Sequence, residues 1–478
     1  MPPKRKVAST VKTPVKQAKT DGDTDEKLTL KKKLSALKKF DDKKTHKVDK
    51  NFCVAGVRSI TNETGETGQS ATLGPFDQLG QAIKSFEKKF TDKTANKWDE
   101  RVNFKFRPGK YSIVDVVDAS EPDNLPVIQQ TSDCLPSALD EATQGLVRRI
   151  FSTETFENAM RALNLDLKKM PLGKLSAKQI ASAYEILDEL EGVIEGKKTG
   201  DISFLSSRFY TVMPHDFGRT RPPLIDTKEL LASKFDMLNT LSDVALAQTM
   251  QKEGVKGTQK KKHWIDEKYF LLDCDLDYLD ASDANRRLVE EYFTETGGNS
   301  FEIVHVWRVN RHGEGDRFRP YLKTLNHKLL WHGTSVAVVA AILKSGLRIM
   351  PHSGGLVGKG IYFASAADKS QGYGWADSDG YRIMFLAEVA LGKEHPIFES
   401  DMSIRKAPDG FDSVVAQGRC EPDPKVGKEL QLDGVPVKVL CSKPVHRDIN
   451  SWFFYSEYLI YNESQCRLRF VILYRQKK

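Results

Sequence analysis

The chain has 478 residues, of which 39% are hydrophobic and 29% charged, enough for several cores. Its formal charge of +8 is concentrated in residues 1–50, which hold 16 Lys/Arg against 7 Asp/Glu, so the remainder is close to neutral. The longest purely apolar run, Val336–Leu343, is far short of the roughly 20 residues that span a bilayer, and no apolar core follows the N-terminal charges as a signal peptide would require. The six cysteines (Cys53, Cys134, Cys274, Cys420, Cys441 and Cys466) lie far apart, with no CxxC pair and no Cys/His spacing suited to zinc. These features predict a reduced, soluble, cytosolic or nuclear protein without a metal or a membrane span.

Residues 1–60 read as a disordered basic tail, poor in large apolar side chains. Within it, Pro2-Pro3-Lys4-Arg5-Lys6, Lys31–Lys33 and Lys38-Lys39 fit a nuclear-import signal or a polyanion contact. Residues 61–118 predict a small α/β unit. Phe76, Leu79, Ile83, Phe86 and Phe90 recur at steps of three and four, the stripe of an amphipathic helix, and Val102–Phe106 and Tyr111–Val117 read as strands around Pro108-Gly109. Residues 131–253 read as a helical bundle with no chemistry of its own. Ser176 with Gln179 makes a capping box before Ile180, Tyr184, Leu187, Leu190 and Ile194. Asp226 with Glu229 opens a second long helix carrying Leu230, Phe235, Leu238 and Leu241. Met170–Gly173 and Pro214–Pro223 break the helices, and Gly254–Lys262 is a Lys/Gly linker.

From residue 263 to 478 the texture changes to β-branched and aromatic runs broken by glycine: Phe301–Val309, Gly360–Phe363, Met384–Val389, Val437–Leu440, Glu457–Ile460 and Leu468–Tyr474. The expected fold class is therefore multidomain α+β, an all-α bundle followed by a mixed, largely antiparallel domain. No GxxxxGK followed by Ser or Thr and no GxGxxG after a strand is present, so a phosphate loop and a dinucleotide-binding Rossmann unit are both excluded.

Three stretches of the last domain concentrate chemistry: Leu330-Trp331-His332-Gly333-Thr334, Gly358–Ala364 continuing to Ser370 and Tyr373, and Ser456–Tyr461 with Glu457. Singly, each has a structural explanation: a capped turn, a tight turn into a strand, and an edge-strand charge. In this order, His332, Tyr362 and Glu457 resemble the His–Tyr–Glu triad of the poly(ADP-ribose) polymerase family. The resemblance extends to Tyr210-Thr211, Pro214–Gly218, Gly346–Ile349 and Gly410–Val414, and to that family's DNA-break-responsive subgroup.

The resemblance implies a protein ADP-ribosyltransferase that consumes NAD⁺ as substrate and needs no metal, with a regulatory bundle at 131–253 and a transferase domain at 263–478. It implies that Gly333 and Ser370 hold the nicotinamide carboxamide, Tyr373 stacks on its ring and Tyr362 packs against the dinucleotide. His332, Thr334 and Arg348 would serve the adenosine side. Glu457 would bind the nicotinamide ribose and oppose the positive charge that develops as the glycosidic bond breaks. It further implies mainly mono-ADP-ribosylation in the nuclear DNA-damage response, with cytoplasm as a second location. The partners implied are acceptor proteins including the chain itself, broken DNA and accessory factors of ADP-ribosylation. A catalytically weak DNA-repair scaffold, a poly-ADP-ribosylating enzyme and an NAD⁺ hydrolase are the rival readings. The family's Trp-Gly-Arg module, which senses broken DNA, is matched only in part by residues 61–118. Thr61-Asn62-Glu63 stand at the motif's place, and Glu63 puts an anion where a cation would face phosphate.

Overall fold

The computed structural model describes residues 52–54, 73–76, 78–105, 107, 110–111, 135–167, 177–218, 220–252, 263–349 and 355–477. The chain divides into two compact units, residues 1–113 and 114–478. In the first, strands β1 (Phe52–Val54) and β2 (Leu73–Phe76) pair antiparallel, and helix α1 (Leu79–Thr94) follows. Ile83, Phe86 and Phe90 of the expected stripe are buried, and the Trp98 ring meets Phe86 and Phe90 edge-on at 5.0 and 5.1 Å. Phe76 closes β2 and does not belong to the helix.

The expected strand Val102–Phe106 is corrected at its start: Trp98–Asn103 is a 3₁₀ helix, and Val102 stands 87% exposed. The Asn96 side chain donates to Thr94 O and Lys105 O and accepts from Lys105 N, closing the segment into a loop around Trp98. That closure outweighs the β-preference of a solvent-facing valine. The expected disordered tail, residues 1–60, is corrected at Phe52–Val54, which form β1 because β2 offers them a pairing edge. The rest of the tail, the expected strand Tyr111–Val117 beyond Tyr111, Thr61–Glu63, Ser176, Met170–Gly173 and the Gly254–Lys262 linker lie outside the described residues.

The second unit begins with helices α2 (Glu141–Ile150), α3 (Thr153–Ala162), α4 (Ala177–Ile194), α5 (Ile202–Val212), α6 (Lys228–Lys252) and α7 (Trp264–Leu271). Asp140, Ser152 and Asp201 accept from first-turn amides of α2, α3 and α5. At α6 the cap is Thr227, whose hydroxyl accepts from Leu230 N at 3.2 Å, and not the expected Asp226. Gln179 sends its amide to Val212 O at 2.7 Å, which ties α4 to the end of α5.

The helices serve two separate cores. Residues between Met160 and Leu241, including Ile186, Leu190, Phe209, Phe235 and Leu238, form one. Leu146, Val147 and Ile150 of α2, with Val244, Ala247 and Met250 of α6, join the other, which also holds Trp307, Phe385 and Val471. Trp307 Nε1 donates to Thr143 Oγ1 at 2.9 Å. Helix α2 and the last third of α6 are thus built into the sheet domain. Each such buried aliphatic side chain contributes about 1.5–3 kcal/mol.

At the turn after α5, His215 is 6% exposed, donates from Nδ1 to Met213 O at 2.6 Å and accepts at Nε2 from Lys234 Nζ at 2.9 Å. Burial, with the Lys234 charge, pushes its pKa from 6.5 down to about 4. The unfolded chain therefore takes up a proton between these values while the folded chain does not. Stability is fully present above pH 6.5 and lost as pH falls toward 4, by up to about 3 kcal/mol. The melting midpoint is expected to drop over that interval, and His215→Gln, which keeps an acceptor for Lys234, is expected to flatten the drop. An unchanged pH profile in the variant would assign the acid lability to other groups.

The sheet domain adds β3 (Cys274–Leu279), α8 (Ala284–Gly297), β4 (Phe301–Arg311), α9 (Glu314–Phe318), β5 (His327–Thr334), α10 (Val339–Ser345), β6 (Ile361–Ala364), α11 (Ala367–Gln371), β7 (Tyr381–Ala390), β8 (Glu394–Ile397), β9 (Ser413–Ala416), β10 (Cys420–Pro422), β11 (Lys428–Leu432), β12 (Val435–Val439), β13 (Pro444–His446), β14 (Glu457–Ile460) and β15 (Cys466–Gln476). The strands expected in this domain all appear, with ends shifted by three residues at most, Gly360 and Leu440 falling just outside theirs. The strand order is β3-β4-β15-β7-β5-β6-β14-β9-β8, antiparallel except at β8–β9 and at β12–β5. Glu388, fully buried on β7, accepts from His327 at 2.6 Å and from Arg469 Nε at 2.7 Å, which pins β5 and β15 to the centre of the sheet. None of the described helices is long and apolar enough to cross a membrane.

Candidate active site

Strands β5, β6 and β14 lie side by side, and this order brings the three separated stretches together. Trp331 and Glu457 both pair with Ala364 of β6, so His332, Tyr362 and Glu457 fall on three adjacent strands. His332 Nδ1 donates to Tyr362 O at 2.9 Å. A carbonyl only accepts, so that nitrogen carries the proton. Burial depresses the ring's pKa against the opposing effect of this bond, and the ring is neutral near pH 7. Nε2 is then left as an acceptor suited to a sugar hydroxyl.

Gly333 follows at the point where α11 crosses β5. A Cβ built there would come within 1.9 Å of Ser370 O, so only glycine fits. Ser370 is 4% exposed, and among the described residues no side-chain hydrogen bond engages its hydroxyl. Tyr373, one turn on, is 58% exposed with its ring open to solvent. Tyr362 is tied by its hydroxyl, which donates to Gly358 O at 2.7 Å and accepts from Val357 N at 3.1 Å. Burial raises the pKa of that hydroxyl well above the usual phenol value. Gly358 has φ +78° and lies against Ile404 O, so the glycine turn is a structural necessity that also fixes the Tyr362 ring.

Glu457, 6% exposed, receives Lys369 Nζ at 2.6 Å. Burial works against the Lys369 charge, but its bond and attraction to Glu457 outweigh that effect, and the lysine pKa stands above its usual value. The same ammonium lies 5.6 Å from the Tyr373 ring centroid. The residue before Glu457 is anchored too: Arg447 Nη2 donates to Ser456 Oγ at 2.9 Å and Arg447 Nε to Gly418 O at 3.1 Å. Lys369 and Arg447 are absent from the sequence-derived set. The i, i+4 spacing of Lys369 and Tyr373 was the available signal for the first; nothing local marks the second.

Thr334 ends β5 beside this group. Arg348 lies on the far side of α10 and pairs with Asp243 of α6. Burial raises the Asp243 pKa, and Arg348 opposes the rise. Of the residues expected to line the adenosine side, Arg348 is thus reached by the helical region. The set as a whole offers a neutral acceptor, a glycine backbone beside a buried hydroxyl, an exposed aromatic ring and a carboxylate steadied by a cation.

Among known proteins, the poly(ADP-ribose) polymerase catalytic domain matches residues 284–476, the poly(ADP-ribose) polymerase regulatory domain matches 137–269, and the WGR domain matches 63–105. The chain is 49% identical to the protein mono-ADP-ribosyltransferase PARP3 of Mus musculus over 434 residues, covering 85% of this chain and 80% of the relative. The Homo sapiens protein of the same name is 49% identical over 428 residues, with the same coverage. Poly [ADP-ribose] polymerase 2 of Arabidopsis thaliana is 32% identical over 455 residues, covering 90% of this chain and 68% of the relative. The chain belongs to the poly(ADP-ribose) polymerase family and is an NAD-dependent ADP-ribosyltransferase.

Proposed function

We propose that this chain is mainly a mono-ADP-ribosyltransferase of the nuclear DNA-damage response that modifies proteins, itself included. The observation that carries the transferase chemistry is Glu457, buried beside β6 and held by Lys369, with a neutral His332 two strands away, and the mono-ADP-ribosylating part follows the relatives of that name. Gly333 and Ser370 hold the carboxamide of nicotinamide, Tyr373 stacks on its ring, and His332, Thr334 and Arg348 bind the adenosine half. Tyr362 braces the dinucleotide. As the glycosidic bond lengthens, positive charge grows on the ribose, and the Glu457 carboxylate is the group placed to stabilise it and to orient the acceptor.

The same reading assigns the helical region a restraining role. The Asp243–Arg348 pair supports this role, because it engages the cation assigned to the adenosine side of NAD⁺. The basic tail supports nuclear import and loose DNA contact. With Glu63 at the place of a phosphate-facing cation, stimulation by DNA ends is expected to be weak.

Incubation with labelled NAD⁺, with and without 5′-phosphorylated nicked DNA, tests these roles. Labelled protein that nicked DNA increases only slightly at physiological salt is the expected result. Free ADP-ribose without labelled protein would make the chain a hydrolase, and no turnover would make it a scaffold. Strong stimulation by nicks would overturn the weak-sensing reading.

A further inference from the structure

The loop between α11 and β7, residues 372–380, carries Tyr373 at one end and is closed at the other by Asp377. Asp377 Oδ1 accepts from Asp379 N at 3.0 Å and Tyr381 N at 2.9 Å, and Asp377 N donates to Tyr381 O at 2.8 Å. Its second oxygen faces α2: Arg149 Nη1 lies 2.5 Å from Asp377 Oδ2 and 3.0 Å from Asp379 Oδ2. The Arg149 guanidinium also stacks on the Tyr381 ring, 3.8 Å from its centroid. The Asp377 side chain is only 5% exposed, so this pair is largely withdrawn from water, where a charged bond is worth more than at a surface.

A cavity of about 500 Å³ is lined by Arg149, Asp379, Tyr381, Arg382 and Arg475. Arg382 reaches Gly374 O, the carbonyl next to Tyr373, and Tyr373 N donates to Ser370 O at 3.1 Å. The loop is thus held by Ser370 and Gln371 at one end, by Arg382 and the close approach of Gly374 to Tyr474 in the middle, and by Arg149 at the other end. Helix α2 can serve as a fixed anchor because Leu146, Val147 and Ile150 belong to the core of the sheet domain and not to the separate helical core.

We propose that Arg149, a residue of the helical region, is a positioning residue for the nicotinamide half of the substrate: through Asp377 and Tyr381 it sets the loop that presents the Tyr373 ring. The inference rests on the reading of Tyr373 as the nicotinamide-stacking residue. It separates two effects of the helical region on one cleft. Asp243 obstructs the adenosine side, whereas Arg149 supports the nicotinamide side.

The test is calorimetric binding of benzamide, a nicotinamide mimic, and of ADP-ribose to the full chain. Arg149→Ala is expected to weaken benzamide roughly tenfold, since loss of alignment alone has effects of this order, and to leave ADP-ribose within about twofold. Arg149→Lys restores part of the loss because it keeps the charge but not the stacked, forked geometry. Asp377→Asn retains the acceptor for the two loop amides, so it tests the link without disturbing α2. It is expected to match Arg149→Ala, and the double variant is expected to be no worse than either. Benzamide affinity that is unchanged or raised in Arg149→Ala or in Asp377→Asn overturns the proposal, because release of a mere brace would not weaken that ligand. A wild-type chain that fails to bind benzamide overturns the nicotinamide-site reading itself, and the inference with it.

Discussion

Glu457→Gln is expected to cut ADP-ribosyl transfer by about 10²–10³ while NAD⁺ affinity changes little. Gln has the same shape and can still accept Lys369 at its carbonyl oxygen, so the niche on β14 stays filled. What disappears is the negative charge, and that charge matters most when the ribose becomes cationic, so the loss falls on turnover. Glu457 is 6% exposed, so water cannot substitute for the missing charge. Initial rates with labelled NAD⁺, set against NAD⁺ affinity measured on the same preparation, give the answer. Transfer at the wild-type rate by the folded Gln variant would remove Glu457 from the mechanism. Equal losses in rate and affinity would make it a binding group only.

Excision of residues 164–243 behind a flexible linker is expected to raise basal transfer about tenfold or more, in proportion to how seldom the cleft is open in the intact chain. The boundaries follow from the two cores. Every buried member of the helical core lies between Met160 and Leu241, so the excision removes it nearly whole. It also removes Asp243 and frees Arg348. Deleting the whole of 131–253 is a different experiment. It strips Leu146, Val147, Ile150, Val244, Ala247 and Met250 from the sheet-domain core, and buried aliphatic losses at about 2–5 kcal/mol each exceed the stability of an ordinary domain. That longer deletion is expected to aggregate. A soluble 164–243 excision that is less active than the full chain would count against restraint by the helical region.

Much of the sheet domain was legible in the sequence because its strands are runs rich in large apolar residues, as at Met384–Val389 between Gly380 and Gly392 and at Leu468–Tyr474. The triad residues were legible only in their order, through the resemblance to the family's motif, since each stretch alone has a structural explanation. What local pattern could not reveal is whatever depends on distant pairing. Arg149 meets Asp377 across 228 positions, and Asp243 meets Arg348 across 105. The periodicity of α6 is continuous, so nothing in it shows that the helix passes from one core to another after Leu241. At Val102 the error had another source: β-preference was read from a valine whose segment is shaped by the Asn96 side chain and the burial of Trp98.

Gly333 limits how this protein could evolve under pressure from an inhibitor. In the proposed reading, a primary amide drug occupies the space between the Gly333 backbone and Ser370, and the simplest escape would be a bulkier residue at 333. Even a methyl group there would collide with the Ser370 carbonyl oxygen. The displacement needed to relieve that collision would move Ser370 and Lys369 together, and with them the cation that steadies Glu457. Resistance arising at this position would therefore carry its own loss of fitness, and selection would be driven toward residues outside the niche.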